Sequence, residues 1–297
     1  MVCCARVAVR RLSDRRRVVG SSLFNAVFLC AVTLIPQVRR TAQAPPTPAP
    51  AAPVHAVTGR TELEEAVTRS DVLFTSGHPN AGLDPLTPLL AQEPPDERVL
   101  WRAARAHVAF GILSPTRETA DAQYLRAVAE ARRAVQANPA STEARYWLAV
   151  ATGRRALRGD FRRILPLAVE TYAEAQRLLA RDSLHAGAHD IVGKLYSEVR
   201  KLPWIVRKLA ATVTRQDVLR LASWQAAEFH LRRAIALDST VVVYRADLTQ
   251  LYLRMDRLAE ARAALSALER LPNRTPADTL FKREAREWVT ARGRMAR

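Results

Sequence analysis

The sequence predicts an all-α chain of tetratricopeptide-like helical hairpin repeats that stack into a right-handed superhelix, and three observations carry this. Ala227, Leu231 and Ala234 recur as Ala261, Leu265 and Leu268, each pair 34 residues apart, and 34 is the period of the tetratricopeptide helix-turn-helix unit. Between them Leu248, Thr249 and Tyr252 take the Leu-Gly-x-x-Tyr positions of a first helix, while Ala261 and Leu265 form the Ala-x-x-x-large pair of a second. With 48% hydrophobic residues and only 10 Gly in 297, the composition supports a sizeable helical core over a turn-rich β architecture. Such a unit cannot bury its apolar face alone, so it stacks on its neighbours and offers a binding surface.

Taken in order, residues 1–44 read as a signal peptide or membrane anchor. Basic residues run through Arg17, Val18 to Val38 carries no charge, and Ala42-Gln43-Ala44 is a small-x-small cleavage site. The uncharged run is also long enough to span a bilayer. Positive charge is heavier before the run than after it, which predicts the N-terminus inside and the body outside. The expected location is periplasmic, either secreted after signal cleavage or anchored to the inner membrane by residues 18–38. Residues 45–58 form a Pro/Ala-rich linker, a composition that disfavours helix and extends as polyproline II. The helical repeat domain is expected over 59–297.

The formal charge of +17 is uneven, because eight Arg and one Asp fall within residues 1–44. Only four of the 46 basic residues are Lys, and Ala is abundant, a bias of high-GC bacterial genomes. Cys3, Cys4 and Cys30 all lie in the same N-terminal stretch. The repeat domain therefore has no thiol for a disulfide, a nucleophile or a metal.

From Thr61 the pattern turns helical through Leu63, Ala66, Val67 and Leu73, and the five prolines of Pro79 to Pro95 then predict a break. The first hairpin carries Trp101 and Ala104, then Ala127, Ala131 and Ala134 in the register of Ala227 and Ala234. About ten residues beyond the regular unit fall around Ser114 to Ala122. A second hairpin follows, with Trp147 and Leu148, then Leu167 to Ala180. In the next unit Val192, Gly193 and Tyr196 match the first helix, but the partner Ala227 is displaced by an insertion containing VRKLPWIVRKLAATV. At the C-terminus Leu280, Phe281, Ala285 and Trp288 form one stripe, the mark of a capping helix.

Gly193-x-Leu195-Tyr196, Lys201-Leu202-Pro203-Trp204-x-x-Arg207-Lys208-x-Ala210 and Ala227-Glu228-x-x-Leu231-x-x-Ala234-Ile235-x-Leu237-Asp238 together resemble the regulator of microtubule dynamics family and its bacterial relatives. The resemblance covers roughly Val99 to Trp288. It implies a tetratricopeptide-like domain without enzymatic activity, often behind an N-terminal membrane segment. Eukaryotic members are linked to microtubules and membrane contact sites, with lipid binding proposed for the helical domain. Ser239 stands where Asp-Pro is usual.

Two candidate surfaces follow. In a superhelix of this kind the first helices line the concave face, and repeat register places Arg102, Tyr146, Arg154, Asp190, Lys194, Gln250 and Arg254 there. They suit an extended peptide or a carboxylate held through charged hydrogen bonds. The alternative surface is the insertion, where Trp204 stands among Leu202, Ile205 and Leu209 beside Arg200, Lys201, Arg207 and Lys208. Such a basic amphipathic segment suits anionic lipid, unless Trp204 packs into the superhelix. The leading expectation is a non-catalytic scaffold binding a protein or peptide, the alternative a lipid-binding or membrane-contact module; nothing sets the oligomeric state.

Other classes lack their signatures. No nucleic-acid-reading motif accompanies the charge, so no nucleic-acid partner is expected. No nucleophile elbow, phosphate loop or dinucleotide fingerprint appears, so neither catalytic residue nor cofactor is expected. His185 and His189 are four apart, but the intervening sequence is Ala-Gly-Ala and offers no glutamate base, so no metal site is expected.

Overall fold

A computed structural model describes residues 54–157, 161–204 and 217–295, and every regular element among them is helical. All of these elements belong to one unit, residues 52–297. The expected signal or anchor at 1–44, and Arg207 and Lys208 of the insertion, lie outside the described residues. The first helix, α1 (Val54–Thr75), starts inside the span expected as linker.

The proline-rich stretch does not simply break the chain. It folds as three short helical turns, α2 (Pro79–Leu83), a 3-10 turn (Asp84–Leu86) and α3 (Thr87–Leu90), each with Pro in its first two positions. Proline is tolerated there because the first N–H groups of a helix have no partner to lose.

Among the described residues there follow α4 (Glu97–Leu113), α5 (Arg117–Ala137), α6 (Thr142–Ala156), α7 (Phe161–Arg181), α8 (Ala186–Lys201), the short α9 (Asp217–Leu221), α10 (Trp224–Leu237), α11 (Val242–Arg254) and α12 (Leu258–Glu269), with α13 (Asp278–Met295) last. Helices α4 and α5, α6 and α7, α8 and α10, and α11 and α12 pair as hairpins. The first helices stack in turn, α4 on α6, α6 on α8 and α8 on α11, and α13 covers α11 and α12.

Local chemistry sets where these helices begin. Asp96, Thr116, Ser141, His185 and Ser223 each accept a backbone N–H of the first turn through the side chain. That satisfies donors which would otherwise be orphaned, a contribution of about 1 kcal/mol per cap.

Packing then follows from small residues at one register. Eight positions after the first-helix caps stand Ala104, Ala149, Gly193 and Thr249, all buried. Close approach of the second helix is what demands small size there. In the second helices Ala127, Ala134, Ala227, Leu231, Ala234, Ala261 and Leu268 are fully buried, as the 34-residue pattern requires.

The residues beyond the regular unit in the first hairpin lengthen its helices and leave the loop short. Helices α4 and α5 have 17 and 21 residues, against 13 and 12 in α11 and α12. The displaced part of the fourth unit is partly core: Val218, Leu219 and Ala222 join Val192, Leu231 and Leu251 in one cluster.

One contact shapes the concave side. Ile112, near the end of α4, packs against the cluster of Val242, Ala277, Phe281 and Ala285. The last unit thus meets the first hairpin across the groove.

Candidate functional site

Because α4, α6, α8 and α11 face inward and α13 approaches from the far end, the groove is partly enclosed. It holds a cavity of about 590 Å³, lined by residues of all five helices together with Phe74 and Thr75 of α1. Val108, Ile112, Trp147, Val150, Ile164, Leu195, Val243 and Phe281 give it an apolar wall. Set into that wall are Arg105, Tyr146, Arg154, Asp190, Lys194, Glu198, Tyr244 and Asp247.

Asp190 is the unusual member. Its side chain is buried, and Oδ1 has no hydrogen-bond partner. Burial and the nearby Asp247 push its carboxyl well above the usual range, against the pull of Lys194 and Arg154. A buried acceptor left unpaired costs free energy unless something in the cavity meets it.

The neighbouring charges are mostly committed. Lys194 Nζ donates to Asp247 Oδ1 and, at 2.8 Å, to Gln250 Oε1. Arg254 donates to Ser197 Oγ at 2.6 Å and Glu198 Oε1 at 2.7 Å, and Lys201 Nζ reaches Glu198 Oε2 at 2.9 Å. Burial raises the Glu198 carboxyl, yet Arg254 and Lys194 outweigh it and hold the group below its ordinary value. Arg154 differs: its guanidinium lies 5.3 Å from the Phe281 ring centroid, and it forms no ion pair among the described residues. Tyr146 and Tyr244 stand near each other, and burial pushes both phenols upward.

Space for Tyr146 depends on a glycine opposite it. A Cβ on Gly187 would fall 2.4 Å from a Tyr146 ring carbon, so the tyrosine seats against bare backbone.

Of the residues expected in the groove from repeat register, Tyr146, Arg154, Asp190 and Lys194 line the cavity, and Lys201 of the basic segment joins them. Gln250 and Arg254 stand behind the wall and hold Lys194 and Glu198. Arg102 is placed elsewhere. It forms a two-pronged bond to Asp71 of α1, 3.0 and 2.8 Å, and stacks on Trp101. Arg105, one turn further, is the arginine that reaches the cavity, also held by Asp71 and lying over Phe74. Repeat register could not see this, because α1 belongs to no regular repeat and its Asp71 holds both arginines. Asp247 and Tyr244 were likewise missed, although they sit on the same first helix as Gln250.

In the insertion, Trp204 is 66% exposed, so it does not pack into the superhelix. Lys201 is exposed beside it, and Arg200 lies over the Trp224 ring at 5.6 Å.

The two histidines have other duties. His185 caps α8, accepting the Ala188 N–H at 3.0 Å. His189 bonds the Ser183 carbonyl at 3.1 Å and His230 at 2.9 Å. Among the described residues no group of three or more His, Cys, Asp or Glu is placed to hold a metal ion.

Stacked hairpins with small residues at a fixed register, wrapped around an apolar groove, define a tetratricopeptide-like helical repeat protein. The chain belongs to the family described as regulator of microtubule dynamics protein 1-3, whose family model matches residues 66–292. The fold is similar to that of a thermophilic TPR protein from Thermus thermophilus, with a TM-score of 0.53 and 21% sequence identity over 78% of this chain and 98% of that one. No curated protein matches the sequence.

Proposed function

We propose that this chain is a non-catalytic scaffold that binds protein or peptide segments in its central groove, on the exported side of a membrane. The carrying observation is the cavity itself, an apolar wall around a buried carboxyl group whose Oδ1 lacks a partner. Extended segments suit such a groove because apolar side chains fill the wall while polar groups fix the register. Hydrogen exchange on the full chain, with and without a peptide selected from a display library, tests the reading. Added protection in α6, α8 and α11 is expected; protection confined to the outer helices would sink it.

The exported location is supported by the uncharged run at 18–38 between basic residues and the Ala42-Gln43-Ala44 site. Residues 1–58 fused to a reporter enzyme that folds only outside the cytoplasm should give activity. An inactive fusion removes this part of the proposal.

A second reading has its own observation, the exposed Trp204 beside Lys201. An aromatic flanked by basic residues partitions to the anionic membrane interface. Co-sedimentation of the full chain with anionic vesicles, lost when Arg200, Lys201, Arg207 and Lys208 are changed to Gln, would establish a membrane-contact role. Equal pelleting with neutral vesicles would refute it.

A further inference from the structure

Arg154 on α6 and Asp190 on α8 line the same cavity from adjacent first helices. Neither forms an ion pair among the described residues, with each other or with a third group. Most other charges of the wall are matched, Lys194 with Asp247, Glu198 with Arg254 and Lys201, Arg105 with Asp71, and Asp278 accepts the Arg274 and Thr275 N–H groups. Arg154 and Asp190 thus line an apolar space without an ion pair, with the Glu284 carboxyl of α13 also within the field of Arg154. Stacking on Phe281 fixes the guanidinium, and burial confines the carboxyl group, so both are presented with little freedom.

We infer that the cavity selects a small zwitterion with an apolar body, an amino acid or a peptide of two or three residues. Its ammonium donates to the Asp190 carboxylate, and its carboxylate accepts from the Arg154 guanidinium. This rests on the peptide-binding reading above and sharpens it, because it makes free ligand ends, not only an extended backbone, the recognised feature. Charge balance supports it: a zwitterion carries its own compensation, whereas a lone cation or anion adds an unbalanced charge to a poorly hydrated site. The volume, about 590 Å³, falls in the range of about 300–1,000 Å³ usual for small-ligand sites.

The test uses the full chain and the tripeptide Leu-Ala-Phe in four forms: free, N-acetylated, C-amidated and blocked at both ends. Calorimetric titration should show the free form binding at least about tenfold more tightly than either singly blocked form. Asp190→Asn should erase the preference for a free amine while keeping that for a free carboxylate; Arg154→Gln should do the reverse. Equal binding of all four forms would overturn the zwitterion and leave the peptide-binding reading standing. No binding by any form, with a longer library peptide also failing, would remove both. If Asp190→Asn fails to fold, the four forms on the unaltered chain and Arg154→Gln still decide the matter.

Discussion

Gly193 and Leu231 meet so closely that a Cβ placed on Gly193 would lie 2.7 Å from Leu231 Cγ and 3.0 Å from the Leu231 backbone nitrogen. Here α8 presents bare backbone to the Leu231 side chain of α10. Gly193→Ala must push α10 away or drive Leu231 from its rotamer, at a cost of about 1–3 kcal/mol. Urea denaturation should show a lower midpoint at unchanged slope. An unaltered midpoint would mean that the hairpin has slack at this contact.

Lys194 and Asp247 form a largely enclosed pair in the cavity wall, 20% and 11% exposed. Lys194→Met leaves Asp247 without its cation and places two acids, Asp190 and Asp247, near each other unrelieved. The expected loss is about 3 kcal/mol, since breaking one partner of a buried pair costs more than removing both. Adding Asp247→Leu to that variant should restore most of the stability, a coupling a double-mutant cycle reads directly.

His189 and His230 share a 2.9 Å contact between their Nδ1 atoms, with Tyr196 and Phe229 against the His230 ring. Burial, with His189 beside it, lowers the His230 imidazole to about 4. The folded state therefore holds His230 neutral while the unfolded chain takes up a proton near pH 6.5. Stability from this group is complete above pH 6.5 and is lost as pH falls toward 4. Melting temperatures of the unaltered chain and of His230→Gln, measured from pH 7 to 4, should show the steeper decline in the unaltered chain. Parallel curves would contradict the assignment.

Asp71 ties α1 to the first hairpin through Arg102 and Arg105. Burial raises its carboxyl, but the two arginines prevail and hold it below the ordinary value. Its contribution is thus present above the unfolded value near 3.9 and lost as pH falls below it. Asp71→Asn, which keeps the shape and removes the charge, should cost about 1 kcal/mol at neutral pH, because the carboxylate is 38% exposed and partly screened. Limited proteolysis should then cut within α1 sooner than in the unaltered chain.

Much of the domain was legible because repetition is a one-dimensional signal. The 34-residue pairs named Ala227, Leu231, Ala261 and Leu268 as core, and each is fully buried. Gly193 read as the small residue of a first helix, and its neighbour Leu231 shows why. Of the terminal stripe, Phe281 and Ala285 are buried, but Leu280 and Trp288 are only partly so and Val289 is buried instead, a small rotation that periodicity does not resolve. Proline content misread 79–90 as a break, since prolines at helix starts look identical in sequence to prolines that end helices.

The sequence by itself determined the repeat period, the helical hairpins and the small residues that let them pack. Those are local regularities, written in spacings of three, four and 34 residues. Tertiary structure alone decided which charges stay free. Arg102 is taken by Asp71, Lys194 by Asp247 and Gln250, and Arg254 by Glu198. Asp190 and Arg154 line the cavity without an ion pair among the described residues. Pairing depends on distances between residues 30 to 60 positions apart, and no pattern along the chain encodes which partner arrives first.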